Sequence, residues 1–168
     1  MRREQVIRML ENYRRCAARR DCLKLEIPLA RRQLEAERED ALRGEALPGR
    51  SLETPRAEAP GDPTGRVALR FASGYQPMYI REMEGDLARM QDELRECETV
   101  CRCVEAWRGA LSEREQLIID RHVIDGETYA EVMEVFSHRF PAAAITSPEG
   151  LKKLNLRAVA KICAVAGG

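Results

Sequence analysis

The 168-residue sequence is poor in aromatic side chains, which make up 5% of it, and a third of its residues are charged. No uncharged run approaches the roughly 18–20 apolar residues that a membrane-spanning helix needs, so a membrane protein is disfavoured. A β-sandwich or barrel is also disfavoured, because strands are enriched in aromatic and β-branched residues. Abundant Ala, Leu, Glu and Arg favour helices, since unbranched side chains lose little rotamer freedom there. The predicted fold class is all-α.

Few residues suit catalysis or metal binding. There are two histidines, no Gly-rich phosphate loop and no carboxylate cluster, so we expect no enzyme and no cofactor, although a Cys-His pair would suffice for thiolate chemistry. A zinc site is disfavoured because Cys97 and Cys101 share a helical face instead of forming a Cys-x-x-Cys pair. The candidate ligands of such a site are Cys97, Cys101, Cys103, His122 and His138.

The six cysteines also bear on the compartment. Arg2 and Arg3 lead into Glu4 rather than into an apolar core, so no export signal is expected. We therefore predict free thiols in a reducing cytosol.

The net charge of zero hides an uneven distribution. The sums are +5 for residues 1–24, −3 for 77–108, −5 for 109–136 and +4 for 137–168. Both ends are basic and the middle is acidic, which favours pairing between the segments or an anionic partner for the ends.

Two long helices are predicted, over residues 1–43 and 78–108, because apolar or packable positions recur at alternating spacings of three and four. Pro28 should kink the first helix or split it in two. Residues 44–77 are rich in Pro and Gly and predict a long, at least partly disordered loop. The two stripes are Val6, Met9, Tyr13, Cys16, Arg20, Leu23, Ile27, Ala30 and Leu34, and Ile80, Met83, Leu87, Met90, Leu94, Cys97, Cys101, Val104 and Trp107.

Neither stripe should stay exposed in a soluble monomer, so the long helices are expected to pair as a hairpin or coiled coil, within the chain or in a homodimer. Trp107 is interpreted as a core or hinge residue rather than a base-stacking platform. The basic run of the first helix suits either a nucleic-acid contact or pairing with the acidic second helix, and the second interpretation is favoured. That run includes Arg14, Arg15, Arg19 and Arg20.

Residues 109–168 predict three short helices, each with its own start signal. Ser112 with Glu115, and Thr128 with Glu131, have capping-box spacing, in which each side chain satisfies an amide at the helix start. Ser147 is an N-cap followed by Pro148 at the first helical position. The last helix should bury Leu151, Leu154, Ala158, Val159 and Ile162.

A three-helix unit with a basic last helix is typical of helix-turn-helix proteins, whose last helix enters the major groove of DNA. Cations on that helix would contact phosphates, and Asn155 would hydrogen-bond a base edge. The predicted DNA-binding residues are Arg139, Ser147, Lys152, Lys153, Asn155, Arg157 and Lys161.

The run from Leu111 to Ile119, followed by the run from Asp125 to Val132, resembles region 4 of sigma-70-type factors, with its Leu-x-x-Arg-Glu start and Thr-Tyr-x-Glu helix. The arrangement of a long helix, a spacer and a second long helix is similar to phage and prophage transcriptional regulators of the RinA and ArpU type. One departure is that residues 137–146 separate the last two helices, whereas a tight helix-turn-helix has about three or four turn residues.

The resemblance implies a regulator that binds specific double-stranded DNA near a promoter, with residues 128–136 as the supporting helix and 147–164 as the recognition helix. The long helices would serve dimerisation or contact with RNA polymerase. Two alternatives stay open: a small-terminase-like packaging oligomer that engages genome ends, and a coiled-coil adaptor that binds only protein.

Overall fold

The computed structural model describes residues 1–46, 77–143, 145 and 147–167, and these contain helices and no strand. The all-α fold class is confirmed. The helices are α1 (Arg3–Ala46), α2 (Met78–Gly109), α3 (Glu113–Ile118), a π-helix (Ile119–Ile124), α4 (Tyr129–Arg139) and α5 (Pro148–Gly167). Most of the loop predicted over residues 44–77 lies outside the described residues.

The chain divides into two compact units. The central unit is Cys22–Glu93, and the terminal unit is Met1–Asp21 with Leu94–Gly168.

In the central unit, α1 runs as one helix through Pro28, so the two-helix alternative is wrong. Pro28 is exposed, and the buried stripe on either side of it includes Leu23, Ile27 and Leu34. Arg38 of α1 forms an ion pair with Glu84 of α2.

The first core of the terminal unit joins the start of α1, the end of α2, the π-helix and α5. Trp107 is 4% exposed there, which confirms its predicted core role. Leu10 is fully buried although it lies outside the predicted stripe of α1. The buried members are Val6, Leu10, Val104, Trp107, Leu111, Ile119, Ala158, Val159 and Ile162.

A second core holds α3, α4 and α5 together through Leu117, Ile118, Val132, Phe136 and Leu151. Both predicted capping boxes at the starts of α3 and α4 are present. They form because the hydroxyl and carboxylate side chains satisfy amides that have no partner in the first helical turn. α5 therefore contributes buried residues to both cores. Of its predicted buried positions, Leu151, Ala158, Val159 and Ile162 are confirmed, whereas Leu154 is only partly buried against the second core.

The π-helix was not predicted. Its wider turn places an extra residue between α3 and α4, and the amide of Asp125 donates to the carbonyl of Asp120 at 2.9 Å. Ile118 then packs in the second core while Ile119 packs in the first. The sequence around Ile118 did not predict a π-helix, because the same residue types favour α-helical and π-helical turns.

Gly126, in the predicted turn after the π-helix, has a φ of 75°. Gly126→Ala is expected to lower the free energy of unfolding by about 1–2 kcal/mol, since a Cβ disfavours left-handed backbone. Gly85→Ala is the matched control: Gly85 lies inside α2 with open space around it, so a gain of about 0.5–1 kcal/mol is expected. Urea denaturation of both variants measures the difference. Equal effects would contradict the assigned turn.

Candidate nucleic-acid interface

α5 begins at Pro148, with Ser147 before it as predicted. The Ser147 hydroxyl accepts a hydrogen bond from the amide of Gly150 at 3.4 Å, and its carbonyl accepts from the amides of Gly150 and Leu151. Ser147 itself is exposed. Its oxygens thus satisfy amides at the start of α5, and its role in the structure is that of a cap.

Asn155 lies half-buried, away from the exposed cations of α5. Its Nδ2 donates to the Tyr129 hydroxyl at 2.9 Å, and Tyr129 in turn stacks against His122 with ring centroids 3.8 Å apart. The Asn155 Oδ1 atom is buried and has no hydrogen-bond partner in the described part of the chain. The side chain predicted to read a base edge is therefore engaged between α4 and α5.

Lys161 is bound to the N-terminus of α3. Its ammonium lies 2.7 Å from Glu115, whose carboxylate also accepts from the backbone amide and the hydroxyl of Ser112 at 3.0 and 2.8 Å. Burial opposes ionisation of Glu115, but these hydrogen bonds and the Lys161 charge outweigh it, so the pKa of Glu115 is lowered. Glu115 is 5% exposed, whereas about half of the Lys161 side chain is exposed. The sequence analysis predicted Lys161 as a DNA-binding cation and gave no signal of its pairing with Glu115.

Glu115→Gln is expected to lower the free energy of unfolding at pH 7 by about 1.5–3 kcal/mol, because it removes a carboxylate that accepts charge-assisted hydrogen bonds. Since the pKa of Glu115 is lower in the folded state, its contribution is present above the unfolded pKa of about 4.5 and is lost as the pH falls through the folded pKa. Denaturation at pH 7 and pH 3 should therefore show that the variant and the unmodified protein differ less in their free energy of unfolding at pH 3 than at pH 7. A gap that is constant with pH would contradict this role.

Lys152 is paired within its own helix. Its ammonium lies 2.7 Å from Glu149 and 6.0 Å from the centroid of the Tyr129 ring. The hydrogen bond raises the pKa of Lys152 and lowers the pKa of Glu149. Part of the positive charge predicted to face DNA is thus offset by Glu149.

Lys153 and Arg157 are exposed and lie one helical turn apart on α5. Within the described ranges, neither side chain has a hydrogen bond or ion pair. Leu156 lies beside them and is 52% exposed. The opposite side of α5 is buried through Leu151, Ala158, Val159 and Ile162. This surface of Lys153, Leu156 and Arg157 is called the α5 outer face below.

The sequence did not single out Leu156, whose side chain would ordinarily be assigned to the core. The one sequence feature that indicates its exposure is its position, which falls outside the spacing of the buried residues of α5.

Arg139 lies at the end of α4, apart in sequence from the α5 cations. Its guanidinium carbon lies 5.8 Å from the centroid of the Phe140 ring, and that of Arg114 lies 5.6 Å from the same centroid. Phe140 also packs on Phe136, with ring centroids 5.1 Å apart. Two exposed arginines thus flank one half-buried ring, and Arg114 was not among the predicted site residues.

The basic run of α1 has divided contacts. Arg20 approaches Glu105 of α2 at 4.0 Å, as favoured from the charge pattern. Arg14 instead pairs with Asp125, after the π-helix, at 2.8 Å. The first helix therefore forms ion pairs with two acidic segments of the terminal unit. The charge pattern predicted the pairing with α2 but not the pairing with Asp125.

Comparisons with family models, with curated proteins and with solved structures give no match. Within the described ranges, no helix has the length and apolar content needed to cross a membrane. The same residues contain no group of three or more His, Cys, Asp or Glu side chains placed to hold a metal ion.

Proposed function

We propose that this protein is a non-enzymatic transcriptional regulator that binds specific double-stranded DNA near a promoter. The resemblance of residues 111–163 to sigma region 4, and of the whole architecture to RinA and ArpU regulators, favours a phage or prophage origin. Its partners would be DNA, a second copy of the chain through the long helices, and RNA polymerase. The compartment would be the bacterial cytoplasm.

The observation that carries the proposal is the α5 outer face. Lys153 and Arg157 project from a helix whose other side is buried, and neither forms a hydrogen bond or an ion pair among the residues described. The charge of Lys153 also contributes to lowering the pKa of Glu149, which lies one turn earlier and is hydrogen-bonded to Lys152. A helix held in this way presents its cations at fixed spacing, which suits phosphates that release counterions on binding. Leu156 between them offers an apolar contact for the methyl group of thymine.

The other predicted residues take secondary roles in this proposal. Lys152 and Lys161 would approach DNA only by exchanging Glu149 or Glu115 for a phosphate, because both are already paired. Arg139, beside Phe140, would contact the backbone from the end of the supporting helix. Asn155 would not contact a base, since its side-chain amide nitrogen donates a hydrogen bond to the Tyr129 hydroxyl.

The connection between α4 and α5 covers residues 140–147 and is longer than a tight helix-turn-helix turn. The connection nevertheless packs on the start of α5. The Ile145 side chain lies so close to Gly150 that a Cβ added to Gly150 would be 2.9 Å from it. We infer that the longer connection changes the angle between the supporting and recognition helices while leaving the start of α5 packed. The DNA approach would then differ from that of a tight helix-turn-helix.

The direct test is a footprint and gel shift on DNA flanking the protein's own gene, repeated over a salt series. Protection of one short duplex site, with affinity falling as salt rises, is expected. Mass measurement of the free protein separates the packaging alternative, for which a large ring is expected. Absence of duplex binding at low salt would refute the proposal and favour the protein-binding adaptor.

A further inference from the structure

Among the residues that the structure describes, none covers one apolar face of α1 in the central unit. Leu25 and Leu29 of α1 are 72% and 63% exposed, and Cys22, one turn earlier, is also exposed. These residues lie opposite Leu23 and Ile27, because two residues along a helix correspond to a rotation of about 200°. α2 packs on the side of Leu23 and Ile27, so it leaves this second face open.

We propose that a second copy of this chain packs antiparallel on this face, with Leu25 of each copy against Leu29 of the other. The contact is self-complementary, as a two-fold symmetric interface requires. The spacing of Cys22, Leu25 and Leu29 matches alternating core positions of a coiled coil. Placing Leu25 level with Leu29 also places Cys22 level with Arg32.

The direction follows from the charges along α1. Residues 8–20 carry five basic and one acidic side chain, a net charge of +4, whereas residues 34–46 carry two basic and five acidic ones, a net charge of −3. Some of these side chains are paired within the chain: Arg14 with Asp125, Arg20 with Asp21 and Glu105, and Arg38 with Glu84. Counting those three acidic partners lowers the first sum from +4 to +1, and counting Glu84 lowers the second from −3 to −4, so the two segments keep opposite signs. In the antiparallel arrangement these two segments lie level with each other. A parallel pair would set +4 against +4, and like charges at such spacing are destabilising.

This inference specifies the face and direction of the dimer in the proposed function, and it does not depend on DNA binding. The 168-residue protein should have twice the monomer mass of 19.1 kDa by light scattering. Leu25→Glu with Leu29→Glu should reduce the mass to that of the monomer while leaving helix content unchanged, because both side chains are exposed. Val165→Glu, at an exposed apolar position of α5, is the control and should remain dimeric.

Oxidative cross-linking tests the direction. Arg32→Cys should form an interchain disulfide with Cys22, and adding Cys22→Ser should abolish it. The unmodified protein should not cross-link through Cys22, because the two Cys22 residues would be about 15 Å apart along the helix axis, beyond the reach of a disulfide.

Three results would overturn the inference: a monomeric unmodified protein, a dimer that survives both glutamates, or a Cys22 to Cys22 disulfide. A monomer would leave the α5 outer face to be judged separately by the salt dependence of DNA binding.

Discussion

Replacing Lys153 and Arg157 together with alanine is expected to flatten the salt dependence of duplex binding. Each lost phosphate contact lowers the slope of log affinity against log salt by about 0.9, so the double variant should lose about 1.8. Affinity at low salt should fall for specific and nonspecific duplexes alike if both cations contact phosphates. Binding isotherms at four or five salt concentrations measure both quantities.

The matched control removes two cations elsewhere. Arg43 and Arg89 are exposed, and each is paired with acids on its own helix. Arg43→Ala with Arg89→Ala changes the net charge by the same amount but should leave the slope unchanged. An equal loss of slope in both double variants would mean that overall charge, and not the α5 outer face, governs binding.

Phe136→Ala is expected to cost about 3–5 kcal/mol of folding free energy. Phe136 is fully buried in the second core, where it packs with residues of α3, α4 and α5. Truncation would leave a cavity where α4 meets α5. Because a typical domain is stable by about 5–15 kcal/mol, this loss is a large part of the total.

Urea denaturation followed by helix content measures the Phe136→Ala effect. Trp107, the single tryptophan, lies in the first core, so its fluorescence reports whether that core unfolds in the same transition. Leu156→Ala is the control, and its exposed side chain should change stability by at most about 0.5 kcal/mol. A Phe136→Ala cost below about 1 kcal/mol would contradict the second core.

Helix positions and their buried sides followed closely from the sequence. The capping boxes at Ser112 and Thr128 and the buried spacing of α5 were predicted and are present. These features rest on interactions within three or four residues, or on a simple apolar period, so local sequence contains the needed information. Leu10 shows the limit, since it is buried beside the predicted stripe of α1.

The candidate site was less predictable, because its residues compete for partners that are distant in sequence. Lys161 pairs with Glu115, 46 residues earlier, and Asn155 bonds Tyr129, 26 residues earlier. No spacing rule relates such pairs. The same applies to Arg14 and Asp125, which the packing of the terminal unit brings to 2.8 Å.

By itself, the sequence determined an all-α chain with two long helices, capped short helices and a basic last helix, since apolar periodicity and capping act locally. Only the tertiary structure decided which cations of α5 are paired and which are exposed, and that α3 continues into a π-helix. Those outcomes depend on contacts between separate helices, where burial and charge pairing select among side chains that look equivalent along the sequence.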